Sequence, residues 1–328
     1  MHLTPFAQTG LPVTPLGLGL AALGRPGYIN LGHADDLNQT YEIAAMERHA
    51  HTVLDAAWEA GMRYFDAARS YGRAEAFLGS WLTNRAISPS AVTVGSKWGY
   101  TYTANWQVTA EQHEVKDHSL PVLQRQIGES RQLLGSYLKL YQIHSATLES
   151  HVLTNQAVLD ELTRLKSEGM RIGLSLSGER QADTLRRALA IRLPRGGLLF
   201  DTVQATWNLL EPSAGEMLAA AHAAGLGVIV KEALANGRLT SRNSDPRLAP
   251  LRQWAEAKGA SMDAVALAAA LAQPWADIVL SGATTIAHIK ANMGALYVEW
   301  NEETAVQLAR LAESPHQYWQ TRSRLPWN

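Results

Sequence analysis

Trp58-Glu59-Ala60-Gly61-Met62-Arg63-Tyr64-Phe65 carries the signal on which the fold turns. A helical pattern stops at a glycine and a short apolar run follows at once. Glycine adopts the left-handed conformation that closes a helix without a Cβ clash, so the junction reads as a helix C-cap and then a buried strand. It returns as Lys166-Ser167-Glu168-Gly169-Met170-Arg171-Ile172-Gly173 and as His222-Ala223-Ala224-Gly225-Leu226-Gly227-Val228-Ile229, and more loosely at Leu134-Gly135. Each copy is the helix-to-strand half of a parallel α/β unit.

Working outward, short apolar runs predict strands near Leu16–Leu20, Met62–Asp66, Val92–Ser96, Leu138–His144, Ile172–Ser175, Thr202–Ala205, Gly227–Val230 and Asp277–Ser281. Between them lie stripes of helical period: Met46, Ala50, Val53 and Ala57; Leu123, Ile127 and Leu134; Val158, Leu162 and Leu165. Eight strands with intervening helices and no separating linker predict one (β/α)8 barrel across residues 1–328. The competing architecture, a doubly wound sheet, lacks a Gly-x-Gly-x-x-Gly turn after the first strand.

Composition agrees. Of 328 residues 46% are hydrophobic and 18% charged, enough for a large core. A net charge of −1 offers no electrostatic footprint for nucleic acid or an anionic membrane. Cysteine is absent, which excludes disulfides, zinc-thiolate sites and a thiol nucleophile. No apolar run approaches the roughly 20 residues that span a bilayer, and Met1–Gly10 has no signal-peptide pattern. The expectation is a cytoplasmic protein.

In such a barrel the active groups belong where strands end and βα loops begin. The second strand delivers Asp66 and, past a small-residue turn, Tyr71, within Arg63–Gly79. The third delivers Lys97, one of seven lysines, and the fourth His144. Taken singly, Asp66 reads as a turn cap, Tyr71 as a rim aromatic, Lys97 as a snorkelling side chain and His144 as a satisfied strand-end histidine. Four such groups on one rim, from three successive strands, point instead to chemistry.

These residues stand in a pattern that resembles the aldo-keto reductases. It runs Asp66-x4-Tyr71-Gly72-x2-Glu75-x2-Leu78-Gly79, Ser96-Lys97, Gln142-Ile143-His144, Gly173-Leu174-Ser175, Val203-Gln204 with Asn208-Leu209-Leu210, and a late Gly282–Asn292 element. The resemblance implies NAD(P)H-dependent interconversion of an aldehyde, ketone or sugar with its alcohol, Tyr71 serving as general acid. Lys97, Asp66 and His144 would tune and orient it. A phenol of ordinary pKa about 10 is a poor donor, and a nearby ammonium would lower that value. The alternative reading is a nicotinamide-binding barrel that acts as a sensor with negligible turnover, which the intact four disfavour.

The resemblance also implies a cofactor site. Ser175 and Gln204 match the residues that hold the nicotinamide carboxamide, while Leu176 replaces the asparagine usual after that serine. Lys231 stands where an aromatic ring commonly stacks on the nicotinamide, a role Trp207 would then supply. Leu234 and Gly237 belong to a loop resembling the one over the pyrophosphate, and Arg238 is the nearest candidate to close on a phosphate. Gly282, Thr284, His288 and Asn292 match the adenosine end, with His288 where an arginine is common and no bidentate clamp visible. Family precedent favours NADP(H), whereas these residues suit NAD(H) as well, with affinities within about tenfold.

The segment Trp98–Ser119 mixes aromatics and charges without a clean period. It is expected to be a substrate-side lid, with Trp98, Trp106 and Trp207 as substrate-contacting aromatics. No metal site is assigned: His113-Glu114-Val115-Lys116-Asp117-His118 reads as solvated loop. The tail from Tyr318-Trp319 to Pro326-Trp327 has aromatics suited to roofing a pocket or to a contact between subunits. The expected partner is a small carbonyl or alcohol.

Overall fold

The computed structural model describes residues 1–328. Eight strands close into a barrel: β1 (Leu16–Gly19), β2 (Tyr64–Asp66), β3 (Thr93–Trp98), β4 (Leu138–Ala146), β5 (Arg171–Leu176), β6 (Thr202–Thr206), β7 (Gly227–Lys231) and β8 (Ile278–Ser281). They pair in chain order, all parallel, with β8 returning to β1 through Leu280 opposite Gly17. Each expected strand is present, with no end more than two residues from its expected place.

The glycine junctions behave as C-caps require. Gly61, Gly169 and Gly225 have φ of 92°, 95° and 97°, which an L side chain adopts only with strain. The helix before the first, α1 (Ile43–Glu59), buries Met46, Ala50, Val53, Leu54 and Ala57, its expected stripe. Likewise α2 (Ala74–Asn84) and α3 (Leu120–Leu134) pack side by side outside β2 and β3, and Leu123, Ile127 and Leu134 are buried. No helix is long and apolar enough to cross a membrane.

Two hairpins escape the sequence reading. Thr4–Pro5 pairs with Pro12–Val13 below the barrel, and Phe6 between them enters its floor against Tyr64, Leu140, Ile229 and Ile278. At the other end, Trp98–Ser119 contains a β-ribbon, with Tyr100 opposite Lys116 and Tyr102 opposite Glu114. Strands of three residues are too short to show an alternation, so this ribbon leaves no periodic signal. The long loop after β1, the ribbon after β3, the loop after β7 and the C-terminal segment all rise around the barrel mouth.

Candidate active site

Asp66, at the end of β2, is the hub. Its side chain is 2% exposed and pairs with the ammonium of Lys97, itself 1% exposed. Its Oδ1 accepts from Tyr64 Oη at 3.2 Å, Gln142 Nε2 at 3.3 Å and Gln204 Nε2 at 3.1 Å. Five side chains from four strands thus meet inside the barrel. Tyr64 and Asp66 do so because residues two apart on a strand face the same way. Gly95 makes room for them: a Cβ there would stand 2.6 Å from the Tyr64 hydroxyl. Sequence assigns no role to Tyr64, or to Gln142 beyond its place in the Gln142-Ile143-His144 motif. The signal was their spacing of two from Asp66 and His144.

Lys97 Nζ also donates to Ala67 O at 3.1 Å and reaches Tyr71 Oη at 3.5 Å. On the other side of that hydroxyl lies His144 Nε2, at 3.4 Å, with the two rings edge to face. Lys97 and His144 therefore flank the Tyr71 oxygen, and Asp66 stands behind the lysine. The turn that carries Tyr71 is wedged against the β1 loop. Arg73 N donates to Gly24 O at 2.7 Å, and a Cβ on Gly24 would collide with the Tyr71 carbonyl. Arg25 donates to Ser70 O at 3.1 Å and lies 5.2 Å above the Tyr71 ring.

The electrostatics correct one expectation. Burial, and then the Asp66 charge, push the Tyr71 phenol up from its ordinary 10, not down. Arg25 pulls the other way, but by less than burial and the Asp66 charge raise it. Burial also takes His144 well below 6.5, helped by Lys97 and Lys231, so its imidazole is neutral. The site at rest holds a protonated phenol, a neutral imidazole and a compensated ion pair.

A cavity of about 620 Å³ opens on Tyr71 and His144, crosses the ends of β5 to β8 and reaches the helix Ile286–Met293. Ser175, Gln204, Lys231, Leu234, Gly237, Gly282, His288 and Asn292 all line it. Ser175 Oγ accepts from Ser145 N at 2.8 Å. Lys231 donates to Thr206 Oγ1 at 2.9 Å, and burial takes its ammonium down to about 8. Glu232 beside it has a left-handed φ of 56° and is gripped by Arg322, whose Nε lies 3.0 and 2.9 Å from its two oxygens. Burial alone would raise that carboxyl, but Arg322 and Lys231 hold it at about 2.

Other expectations are corrected by packing. Trp98, fully buried at the end of β3, packs on His118 outside the cavity. Trp106 donates to Tyr41 O at 2.5 Å and lies edge-on to Phe77, so it braces the loops from outside. Trp207 packs on Trp275 and is not available to stack on a nicotinamide. None of the three lines the cavity. Thr284 is buried behind the wall, where its hydroxyl donates to Asp36 at 2.8 Å. Arg238 turns away to Glu313, and the cation at the cavity's far end is Arg242, which sequence reasoning missed. The tail does form part of the roof: Trp327 lines the cavity and stacks on His113 with ring centroids 3.8 Å apart.

The Aldo/keto reductase family pattern matches residues 15–313. The chain belongs to the aldo-keto reductase family. It is 26% identical over 322 residues to the aldo-keto reductase str7 of Strobilurus tenacellus, covering 90% of this chain and 87% of that one. It is 25% identical over 256 residues to the D-threo-aldose 1-dehydrogenase of a Pseudomonas species, covering 74% and 71%. The fold matches that of the aldo-keto reductase AKR11C1 from Bacillus halodurans in its holo form, with a TM-score of 0.72, 20% identity, and 96% and 97% coverage. Membership makes this aldo-keto reductase an oxidoreductase of a family that generally uses NAD(P)H on small carbonyl compounds.

The cavity has groups that suit such a cofactor. Asn292 donates to Ser281 Oγ at 2.8 Å, and its own Oδ1 is buried without a partner. Asn236 Oδ1, in the loop after β7, is also unpartnered. Both residues line the cavity, and such acceptors fit amine and hydroxyl donors of an adenosine. Gly282 has open space where a Cβ would project.

Proposed function

We propose that this aldo-keto reductase reduces a small polar carbonyl, or oxidises its alcohol, with Tyr71 as the general acid and base. The observation that carries the reading is the placement of Tyr71 Oη between His144 Nε2 at 3.4 Å and Lys97 Nζ at 3.5 Å, facing the cavity. When bound, a nicotinamide dinucleotide would supply or accept the hydride. Ser175 and Gln204 would hold its carboxamide, while Asn236, Gly237, Gly282 and Asn292 would hold the remainder.

The residues then divide the remaining work. A carbonyl oxygen becomes basic as it gains charge, and Tyr71, fully protonated at rest, gives it a proton. The phenolate left behind lies beside Lys97, whose ammonium stabilises it at the moment it forms. Neutral His144 can donate a hydrogen bond from Nε2 to the same oxygen, which favours the charged transition state over the ground state. Asp66 holds Lys97 in place through their ion pair. In the alcohol direction Tyr71 accepts the proton and the order reverses.

The substrate end is polar. Arg25 pairs with Glu114 at 3.1 Å, and Lys231, Glu232 and Arg322 also line the cavity. Tyr28 and Trp327, which flank Arg25, add aromatic faces to these charges, and a hydroxylated aldehyde or sugar uses both better than an aryl or lipid carbonyl does. The test is Tyr71→Phe, assayed on a carbonyl and alcohol panel at the nicotinamide absorbance. Turnover should fall by about 10²-fold or more while cofactor affinity changes less than about twofold. A Phe variant that keeps most of its turnover refutes the role of Tyr71.

A further inference from the structure

At the end of the cavity away from Tyr71, the cationic group is already taken. Arg242 lines this end, with His288, Asn292 and Asp263. Its guanidinium forks onto Asp36, with Nη1 2.9 Å from Oδ2 and Nη2 on Oδ1, and Nη1 also donates to Leu31 O at 2.7 Å. Asp36 comes from a short turn of helix, His33–Asp36, in the loop after β1. Its side chain is 4% exposed and accepts from Thr284 Oγ1 at 2.8 Å, with His288 Nε2 at 3.7 Å. Gly32 permits the approach: its φ is 73°, and a Cβ there would stand 2.8 Å from Arg242 Nη1.

We infer that Asp36 sets the cofactor preference of this enzyme, its buried carboxylate holding the half-buried Arg242 in an ion pair and so selecting NAD(H) over NADP(H). The inference rests on the reading above, in which a nicotinamide dinucleotide fills the cavity. With its nicotinamide at Tyr71, the length of the cavity carries its adenosine to the helix Ile286–Met293 and Arg242. NADP differs from NAD only by a dianionic phosphate on the adenosine ribose. To meet that phosphate, Arg242 must leave Asp36, and a buried carboxylate is then stranded without a cation. If Arg242 stays, the phosphate approaches a compensated guanidinium with Asp36 and Asp263 close by, and like charges repel. A ribose hydroxyl imposes neither cost. His288 cannot substitute for the arginine, because it leans on the same Asp36.

The decisive comparison is of dissociation constants for NADH and NADPH, from quenching of intrinsic fluorescence at fixed ionic strength. Four proteins are titrated: wild type, Asp36→Asn, Asp36→Ala, and Asp36→Ala with Arg242→Leu, each checked by thermal melt. Wild type should bind NADH at least about tenfold more tightly than NADPH. Either single substitution should move the ratio toward NADPH by at least about tenfold, since it frees the guanidinium. Adding Arg242→Leu should remove that gain. Asp36→Asn keeps the shape of the side chain, so it serves if Asp36→Ala fails to fold. Wild-type affinities closer than tenfold, a preference for NADPH, or a ratio that no substitution moves would each overturn the inference while leaving the oxidoreductase reading intact. Failure of both cofactors to bind any of the proteins would overturn that reading and this inference together.

Discussion

Replacing Asp66 by Asn isolates the charge at the hub of the site. The amide keeps the shape of the carboxylate, and its oxygen can still accept from Tyr64, Gln142 and Gln204. Its nitrogen, however, faces Lys97, donor against donor. With 1% of its side chain exposed, the lysine would be left with Ala67 O and the Tyr71 hydroxyl as neighbours. Stranding one member of a buried pair costs about 3–5 kcal/mol, a large share of the 5–15 kcal/mol that typically holds a protein folded. Urea unfolding at pH 7, followed by far-UV circular dichroism, should show a loss of that size with an unchanged slope. Adding Lys97→Met removes the stranded ammonium, so the double variant should recover at least about 2 kcal/mol of the loss. It should nonetheless remain inactive, because the group that stabilises the Tyr71 phenolate is gone. Additive losses in the double variant, or a single-variant loss under about 1 kcal/mol, would refute the description of Asp66 and Lys97 as a mutually dependent buried pair.

Trp106→Ala should lower stability by about 2 kcal/mol through lost packing on Phe77 and the lost bond to Tyr41, with KM unchanged across a substrate panel. A shifted KM at unchanged stability would return this residue to the substrate side. Glu232 makes a separate prediction in acid. Its carboxyl is held at about 2 against an ordinary 4.5, so the unfolded chain takes up the proton first as pH falls. Its stabilising contribution, about 3 kcal/mol, is complete above pH 4.5 and lost progressively towards 2. The gap in urea midpoint between wild type and Glu232→Gln should therefore narrow as pH drops below 4.5; a constant gap would mean that the Arg322 and Lys231 charges do not hold this carboxylate.

How much of this was legible in the chain follows from the range of each signal. The glycine-capped junctions at Gly61, Gly169 and Gly225 are local events, decided by one backbone conformation, and they locate three strands directly. Asp66, Lys97 and His144 stand at the ends of apolar runs, so counting strands was enough to put them on one rim; Tyr71 follows its strand by a short turn. What the chain alone leaves open is set by contacts between distant segments. The three tryptophans 98, 106 and 207 have the same character in sequence, and only helix and loop packing turns them outward from the cavity. Lys97 near Tyr71 suggests a lowered phenol pKa, whereas the folded barrel buries the phenol beside the Asp66 charge and pushes it up. Asp36 lies 206 residues from Arg242 and 248 from Thr284. No period or spacing links them, because closing the barrel and docking the β1 loop bring them together, and a pairing made by loop closure leaves no local pattern to read.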